Sequence, residues 1–158
     1  MGRSLEIERT FLVPEMPRLE DLRCERVRQG YVTRPGDSAQ VRLRRKGGRY
    51  LITVKSGAGL SRNERETEID PAAFEALWPA TEGRRLEKLR RTGRLPGGPA
   101  FELDEFRGPL APLRLVEVEF RDTDAARAFT PPDWFGREVT DDPRYTNAHL
   151  AAEGAPQD

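Results

Sequence analysis

Gln40-Val41-Arg42-Leu43-Arg44-Arg45-Lys46-Gly47-Gly48-Arg49-Tyr50-Leu51-Ile52-Thr53-Val54-Lys55 is the stretch on which the fold turns. From Gln40 to Arg45 the residues alternate, with Val41 and Leu43 opposite Arg42 and Arg44. Strict alternation means an extended strand with two chemically distinct faces. Gly47-Gly48 predicts a tight hairpin turn. Alternation then resumes, with Tyr50, Ile52 and Val54 opposite Leu51, Thr53 and Lys55.

The same pattern spreads outward from this hairpin. Leu5 to Leu12 sets Leu5, Ile7 and Phe11 against Glu6, Glu8 and Thr10. Gln29–Thr33, Arg62–Ile69, Arg85–Arg91, Ala100–Phe106 and Arg114–Phe120 read as further strands. Turns are expected at Arg34–Asp37 and Pro96–Pro99. Asp70-Pro71 combines a helix cap with a proline suited to the first helical position, predicting a helix that carries Phe74, Leu77 and Trp78 to Pro79. A second helix is expected over Asp124–Phe129, and a short helical piece at Leu19–Arg23. Many short strands and few helices predict an α+β, mainly β fold: a barrel or strongly curved sheet. The chain is expected to be one domain over residues 1–150, with an unstructured tail over 151–158.

Composition limits the function. The 158 residues carry 27 Lys+Arg and 27 Asp+Glu, so the formal net charge is zero. A nucleic-acid coat would show a basic surplus, so nucleic acid is not an expected partner. There is no apolar leader and no run of membrane length, so a cytoplasmic chain with no membrane partner is expected. Cys24 is the single cysteine, read as a small residue at the core edge, and it excludes an internal disulfide. One histidine, His149, leaves no material for a Cys/His zinc site or a Ser/His/Asp triad.

The charges are sorted by strand. Glu6/Glu8, Arg42/Arg44, Glu64/Glu66, Lys88/Arg90, Glu102/Asp104 and Glu117/Glu119 each lie two residues apart, and each pair is of one sign. Side chains at that spacing point the same way, roughly 7 Å apart along a strand. Paired carboxylates repel unless a cation lies between them, and oxygen donors suit Mg²⁺ or Mn²⁺. Paired cations suit phosphate oxygens, which arginine engages bidentately. A polyphosphate with bound metal satisfies both kinds of wall.

These residues, in order, resemble the CYTH, or triphosphate tunnel, family. Glu6-Ile7-Glu8 is similar to the first part of its ExExK signature. The likeness continues through Gln29-Gly30-Tyr31, Val41–Arg44, Tyr50–Lys55, Glu87-Lys88 with Arg90, Glu117–Phe120, Trp134-Phe135-Gly136 and Arg144-Tyr145. The resemblance implies an eight-stranded antiparallel β-barrel tunnel, with helices outside, that hydrolyses inorganic triphosphate to diphosphate and phosphate. The short bacterial triphosphatases are the most similar branch. Glu6, Glu8, Glu117 and Glu119 are the implied metal ligands, with Glu64, Glu66 and Asp104 as further metal-site residues. Arg42, Arg44, Lys55, Arg62, Lys88 and Arg90 are the implied phosphate clamps. Tyr31 and Lys88 are the implied catalytic residues, Tyr31 as general base only where its surroundings favour the phenolate. Thiamine triphosphate, ATP (through class IV adenylate cyclase chemistry) and longer polyphosphate are the alternative ligands, and a homodimer is compatible with an apolar barrel exterior.

Position 10 departs from the signature: Thr10 stands where the family carries lysine. Arg9 points to the opposite face and is no simple replacement. The departure is compatible with a natural variant of altered chemistry, an engineered change, or a binding module with impaired catalysis.

Overall fold

The computed structural model describes residues 7–20, 22–56 and 63–157. Eight strands form one antiparallel sheet: β1 (Ile7–Leu12), β2 (Arg23–Tyr31), β3 (Ala39–Lys46), β4 (Arg49–Ser56), β5 (Asn63–Glu68), β6 (Arg85–Arg94), β7 (Ala100–Phe106) and β8 (Arg114–Phe120). Their hydrogen-bonded order is β1-β8-β7-β6-β2-β3-β4-β5. Among the described residues three short α-helices accompany the sheet: α1 (Pro71–Leu77) between β5 and β6, and α2 (Thr123–Ala128) and α3 (Asn147–Glu153) after β8. Sheet and helices match the expected mainly β composition, while closure into a barrel is not made by the hydrogen bonds of this order. No helix among the described residues is long and apolar enough to cross a membrane.

The chain gathers into two compact units. The first holds Arg26–Glu87 and the residues from Pro143 onward. Its β3–β4 hairpin turns at Gly47-Gly48, with Lys46 paired to Arg49 and Gly47 at φ +60. That positive φ is the reason a glycine is needed there. One face of the sheet, through Leu43, Tyr50 and Ile52, packs on Phe74 and Trp78. Helix α1 brings Phe74 to that face. Its Asp70 cap accepts from the Ala73 amide at 2.7 Å, and Pro71 opens the first turn, as the sequence predicts. Phe74 stacks on Trp78, with ring centroids 5.0 Å apart. Arg28 and Arg85 each lie within 5 Å of the Trp78 ring, at 4.6 and 4.7 Å.

The second unit holds, among the described residues, those from Ile7 to Glu25 and Lys88–Asp142. Phe11, Val13, Phe101, Leu103, Val116, Val118 and Phe135 form its core, on the side of β1, β7 and β8 that alternation predicts. The segment after α2 is tied to β1 by three main-chain bonds, Leu12 N to Arg137 O at 2.9 Å, Gly136 N to Leu12 O at 2.6 Å and Val139 N to Thr10 O at 2.8 Å. Arg9 reinforces the tie: its guanidinium donates to both carboxylate oxygens of Glu138, at 2.9 and 2.7 Å, and to the Ala126 carbonyl.

Four expectations need correction. The described residues of Leu19–Arg23 carry no helix; Leu19 and Leu22 pack instead against the core of the second unit, and β2 begins at Arg23. Gly93 on β6 accommodates this, since a Cβ there would meet Leu22 Cδ2 at 2.5 Å. Strand β2 is longer than Gln29–Thr33 suggests, because its first half is exposed and lacks an apolar face to read. Cys24 lies in that half and is exposed, away from the core edge. Helix α3 runs to Glu153, three residues into the expected tail, capped by Thr146 and anchored by the buried Leu150.

Candidate functional site

The charged residues fall on the sheet faces opposite the apolar cores, and each unit carries its own set. In the first unit the strand register builds a row. Tyr31 is paired with Arg42, Arg42 with Thr53, and Thr53 with Glu66, crossing β2, β3, β4 and β5. A parallel row runs Gln29, Arg44, Leu51 and Glu68, and a third pairs Gln40, Lys55 and Glu64.

Glu66 is the anionic end of the first row. Its Oε2 accepts from Thr53 Oγ1 at 2.6 Å and from Arg44 Nη2 at 3.1 Å, and lies 3.7 Å from Arg42 Nη2. Burial pushes the carboxyl up, but the Thr53 hydrogen bond and the charges of Arg44 and Arg42 outweigh it and hold Glu66 below the ordinary range. Lys55 Nζ is 3.8 Å from Glu64 Oε1. Glu64 and Glu66, expected to serve a metal, thus stand beside cations in this structure.

Tyr31 is buried, and its phenolic oxygen accepts from Gln29 Nε2 at 2.9 Å. Burial raises its pKa; the Arg42 and Gln29 hydrogen bonds and the Arg44 charge offset only part of that rise. Burial thus disfavours the phenolate that Tyr31 would need as a general base. Gln29, to which the sequence reading gave no role, is almost fully buried against Tyr31 and also reaches Asn147 Oδ1 at 3.4 Å. Its alternation with Tyr31 on β2 is the signal that could have found it.

In the second unit Lys88, Arg90 and Asp104 form a buried ion trio. Lys88 Nζ donates to Asp104 Oδ2 at 2.8 Å. Arg90 donates to the same carboxylate twice, from Nε to Oδ1 at 2.8 Å and from Nη2 to Oδ2 at 2.9 Å. Its Nη1 is 3.4 Å from Glu102 Oε2. The partners titrate in unlike ways for a physical reason. Asp104 also feels desolvation, but two cations share it and hold it down to about 2. Lys88 is fully buried and has Arg90 beside it, so desolvation wins over Asp104 and lowers it to about 8. Asp104, read from sequence as a metal-site residue, has its carboxylate taken by these two cations.

The other acidic residues are arranged across ladders. Glu8 of β1 faces Glu119 of β8, Thr10 faces Glu117, and Glu117 faces Glu102 of β7. Burial pushes the Glu117 carboxyl up, and the charges of Asp104 and Glu102 push it further. A cation at this face would relieve that repulsion, and carboxylate oxygens are the donors Mg²⁺ and Mn²⁺ prefer. By this test the donor chemistry of Glu8, Glu117 and Glu119 fits such an ion. Among the described residues, no three acidic, histidine or cysteine side chains are gathered closely enough to hold one. Glu6 and Arg62 lie outside the described residues.

A cavity of about 910 Å³ opens elsewhere in the second unit, between the Leu95–Ala100 turn, Phe120 and Phe129. Glu119 is the one expected site residue in its lining. The buried ion pairs, rather than this groove, carry chemistry suited to a polyanion.

No protein-family model matches the chain. An inorganic triphosphatase of Nitrosomonas europaea is 59% identical over 146 residues, covering 92% of this chain and 96% of that protein. An inorganic triphosphatase of Acetivibrio thermocellus is 39% identical over 152 residues, covering 95% and 94%. Among solved structures, a crystal structure of an inorganic triphosphatase superposes with a TM-score of 0.79 at 53% identity, covering 97% of this chain and 98% of the other. A Hippeastrum protein of adenylyl cyclase type with a dominant triphosphatase activity has a TM-score of 0.56 at 16% identity, covering 78% and 83%. That last likeness speaks to the fold alone.

Proposed function

The chain belongs to the CYTH, or triphosphate tunnel, family, and from that premise we propose that it hydrolyses inorganic triphosphate to diphosphate and phosphate. The observation that carries this reading is the 59% identity to an inorganic triphosphatase over nearly the whole of both chains. The burial of Arg44, Lys88 and Arg90 on faces rich in charge agrees with it. Cations held in a site of low dielectric act on phosphate oxygens far more strongly than they would in water.

In this reading Arg42, Arg44 and Lys55 bind phosphate oxygens from one set of strands, and Lys88 and Arg90 from the other. Arg42 and Arg44 can exchange Glu66 for substrate, because Glu66 is still partly open to solvent. Tyr31 acts as a phenol that donates a hydrogen bond, since burial disfavours its ionised form. Positioning and electrostatic stabilisation account for most of the catalysis of phosphoryl transfer. Mg²⁺ or Mn²⁺, when bound, would neutralise phosphate charge, and Glu8, Glu117 and Glu119 would hold it through their carboxylates, with Glu6 as a further ligand. The closed eight-stranded tunnel and a cytoplasmic location belong to the same proposal.

Phosphate release from inorganic triphosphate, ATP and thiamine triphosphate, with and without Mg²⁺ or Mn²⁺, tests it. Metal-dependent release with preference for inorganic triphosphate is expected. No metal-dependent release from any of the three overturns it. Thr10 motivates one competing reading, a triphosphate-binding module with weakened catalysis, which would bind triphosphate without turning it over.

A further inference from the structure

We propose that Asp104 is a positioning residue, a buried anion that fixes Lys88 and Arg90 in place to receive phosphate oxygens, and is not a metal ligand. The proposal rests on the triphosphatase reading above. Three observations support it. Both Asp104 oxygens are taken: Oδ1 by Arg90 Nε at 2.8 Å, Oδ2 by Arg90 Nη2 at 2.9 Å and by Lys88 Nζ at 2.8 Å. The side chains are almost closed to solvent, with Lys88 at 2%, Asp104 at 9% and Arg90 at 10% exposure. Register then sets the geometry, since Asp104 stands directly opposite Arg90 in the β6–β7 ladder.

A paired fork on a carboxylate fixes the plane of a guanidinium as well as its position. One anion shared by two cations leaves the trio with net positive charge, which is what a polyanion needs. Two buried cations without an anion would carry an unreturned desolvation penalty. A divalent ion at Asp104 would have to displace both cations and would then sit beside them. Glu117 also feels the charges of Arg90 and Lys88, but its direct ladder partners are Thr10 and Glu102 rather than a cation. It is the natural comparison.

The test compares Asp104→Asn, Asp104→Glu and Glu117→Gln in the full chain. Steady-state triphosphate hydrolysis and Mn²⁺ binding by electron paramagnetic resonance are measured for each. For Asp104→Asn, kcat should fall about 100-fold, the scale of a reacting group misplaced by an ångström. Its KM should stay level or drop, because an anion has left a polyanion site, and Mn²⁺ affinity should be unchanged. Asp104→Glu, which keeps the charge, should recover part of kcat. Glu117→Gln should weaken Mn²⁺ binding. A loss of Mn²⁺ affinity in Asp104→Asn equal to that in Glu117→Gln, or an unchanged kcat, overturns the proposal.

If Asp104→Asn does not fold, Asp104→Glu decides by the same measurements: reduced kcat with Mn²⁺ affinity intact supports the role, and weakened Mn²⁺ binding overturns it. If the unaltered chain releases no phosphate, the triphosphatase reading fails separately. Calorimetric binding of triphosphate and Mn²⁺ then decides. A change in triphosphate binding alone supports positioning, and a change in Mn²⁺ binding overturns it.

Discussion

Thr10 lies directly across the β1–β8 ladder from Glu117, so the position where the family carries lysine is a direct cross-strand partner of a carboxyl pushed up by burial. A lysine there would bring a cation to that carboxyl and to any phosphate beside it. Thr10→Lys should therefore raise kcat for triphosphate about 10-fold or more, within the range a charged group contributes to a transition state, with little change in triphosphate affinity. Steady-state kinetics and calorimetry check this. Unchanged or lower activity would mean that Thr10 belongs to a working site of another design.

Asp104 makes stability depend on acid pH. Its folded pKa, about 2, is depressed from 3.8, so the stabilisation is present above pH 3.8 and is lost as pH falls through 2. A shift of that size corresponds to on the order of 2 kcal/mol. Denaturant unfolding between pH 5 and 2 should show this decline, and Asp104→Asn should flatten it. Lys88 acts at the other end: its folded pKa of about 8 is below 10.5, so the cost of keeping it charged is relieved as pH rises from about 8 toward 10.5. Stability should therefore not fall across that interval on account of Lys88.

Tyr31→Phe removes the hydroxyl and leaves the ring in its buried place. If Tyr31 donates as a phenol, kcat should fall about 10-fold, the worth of one good hydrogen bond to a charged group. The shape of the pH–rate profile should not change. A basic limb present in the parent enzyme and missing from Tyr31→Phe would instead assign Tyr31 as a base.

Gly30→Ala should destabilise the first unit. An added Cβ would meet Thr81 Oγ1 at 2.6 Å and Thr81 Cβ at 2.7 Å, and Thr81 is fully buried. Overpacking of this kind costs about 1–3 kcal/mol. Thermal melting should show a lower Tm. An unaltered Tm would mean that Thr81 can move aside, although its hydroxyl is held by donation to the Trp78 carbonyl at 2.7 Å.

Alternation made the strands and their charged faces legible, because side-chain direction in a strand is a local property. Arg42, Arg44, Lys88 and Arg90 could be grouped for that reason. Pairing between strands is not local. Nothing near Asp104 in the chain announces that Arg90 will stand opposite it, so a residue read as a metal ligand proved to sit between two cations. Burial depth is equally non-local: Tyr31 is a candidate base only where its surroundings favour the phenolate, and the burial that raises its pKa cannot be read from its neighbours in the chain. The missed helix α3 depends on its Thr146 cap and on the docking of Leu150, while the exposed first half of β2 offers no apolar rhythm to follow.

The two-residue turn at Gly47-Gly48 has a reach far beyond its size. It locks Lys46 against Arg49 and so fixes Arg42 beside Thr53 and Arg44 beside Leu51. Strand side chains alternate strictly, so a shift of one residue would turn the whole row around. Charges along the row can be exchanged individually during descent, and ligand preference can drift by small steps. The hairpin length cannot drift in that way: one inserted or deleted residue would exchange the wet side of the sheet for the dry one, with no viable intermediate.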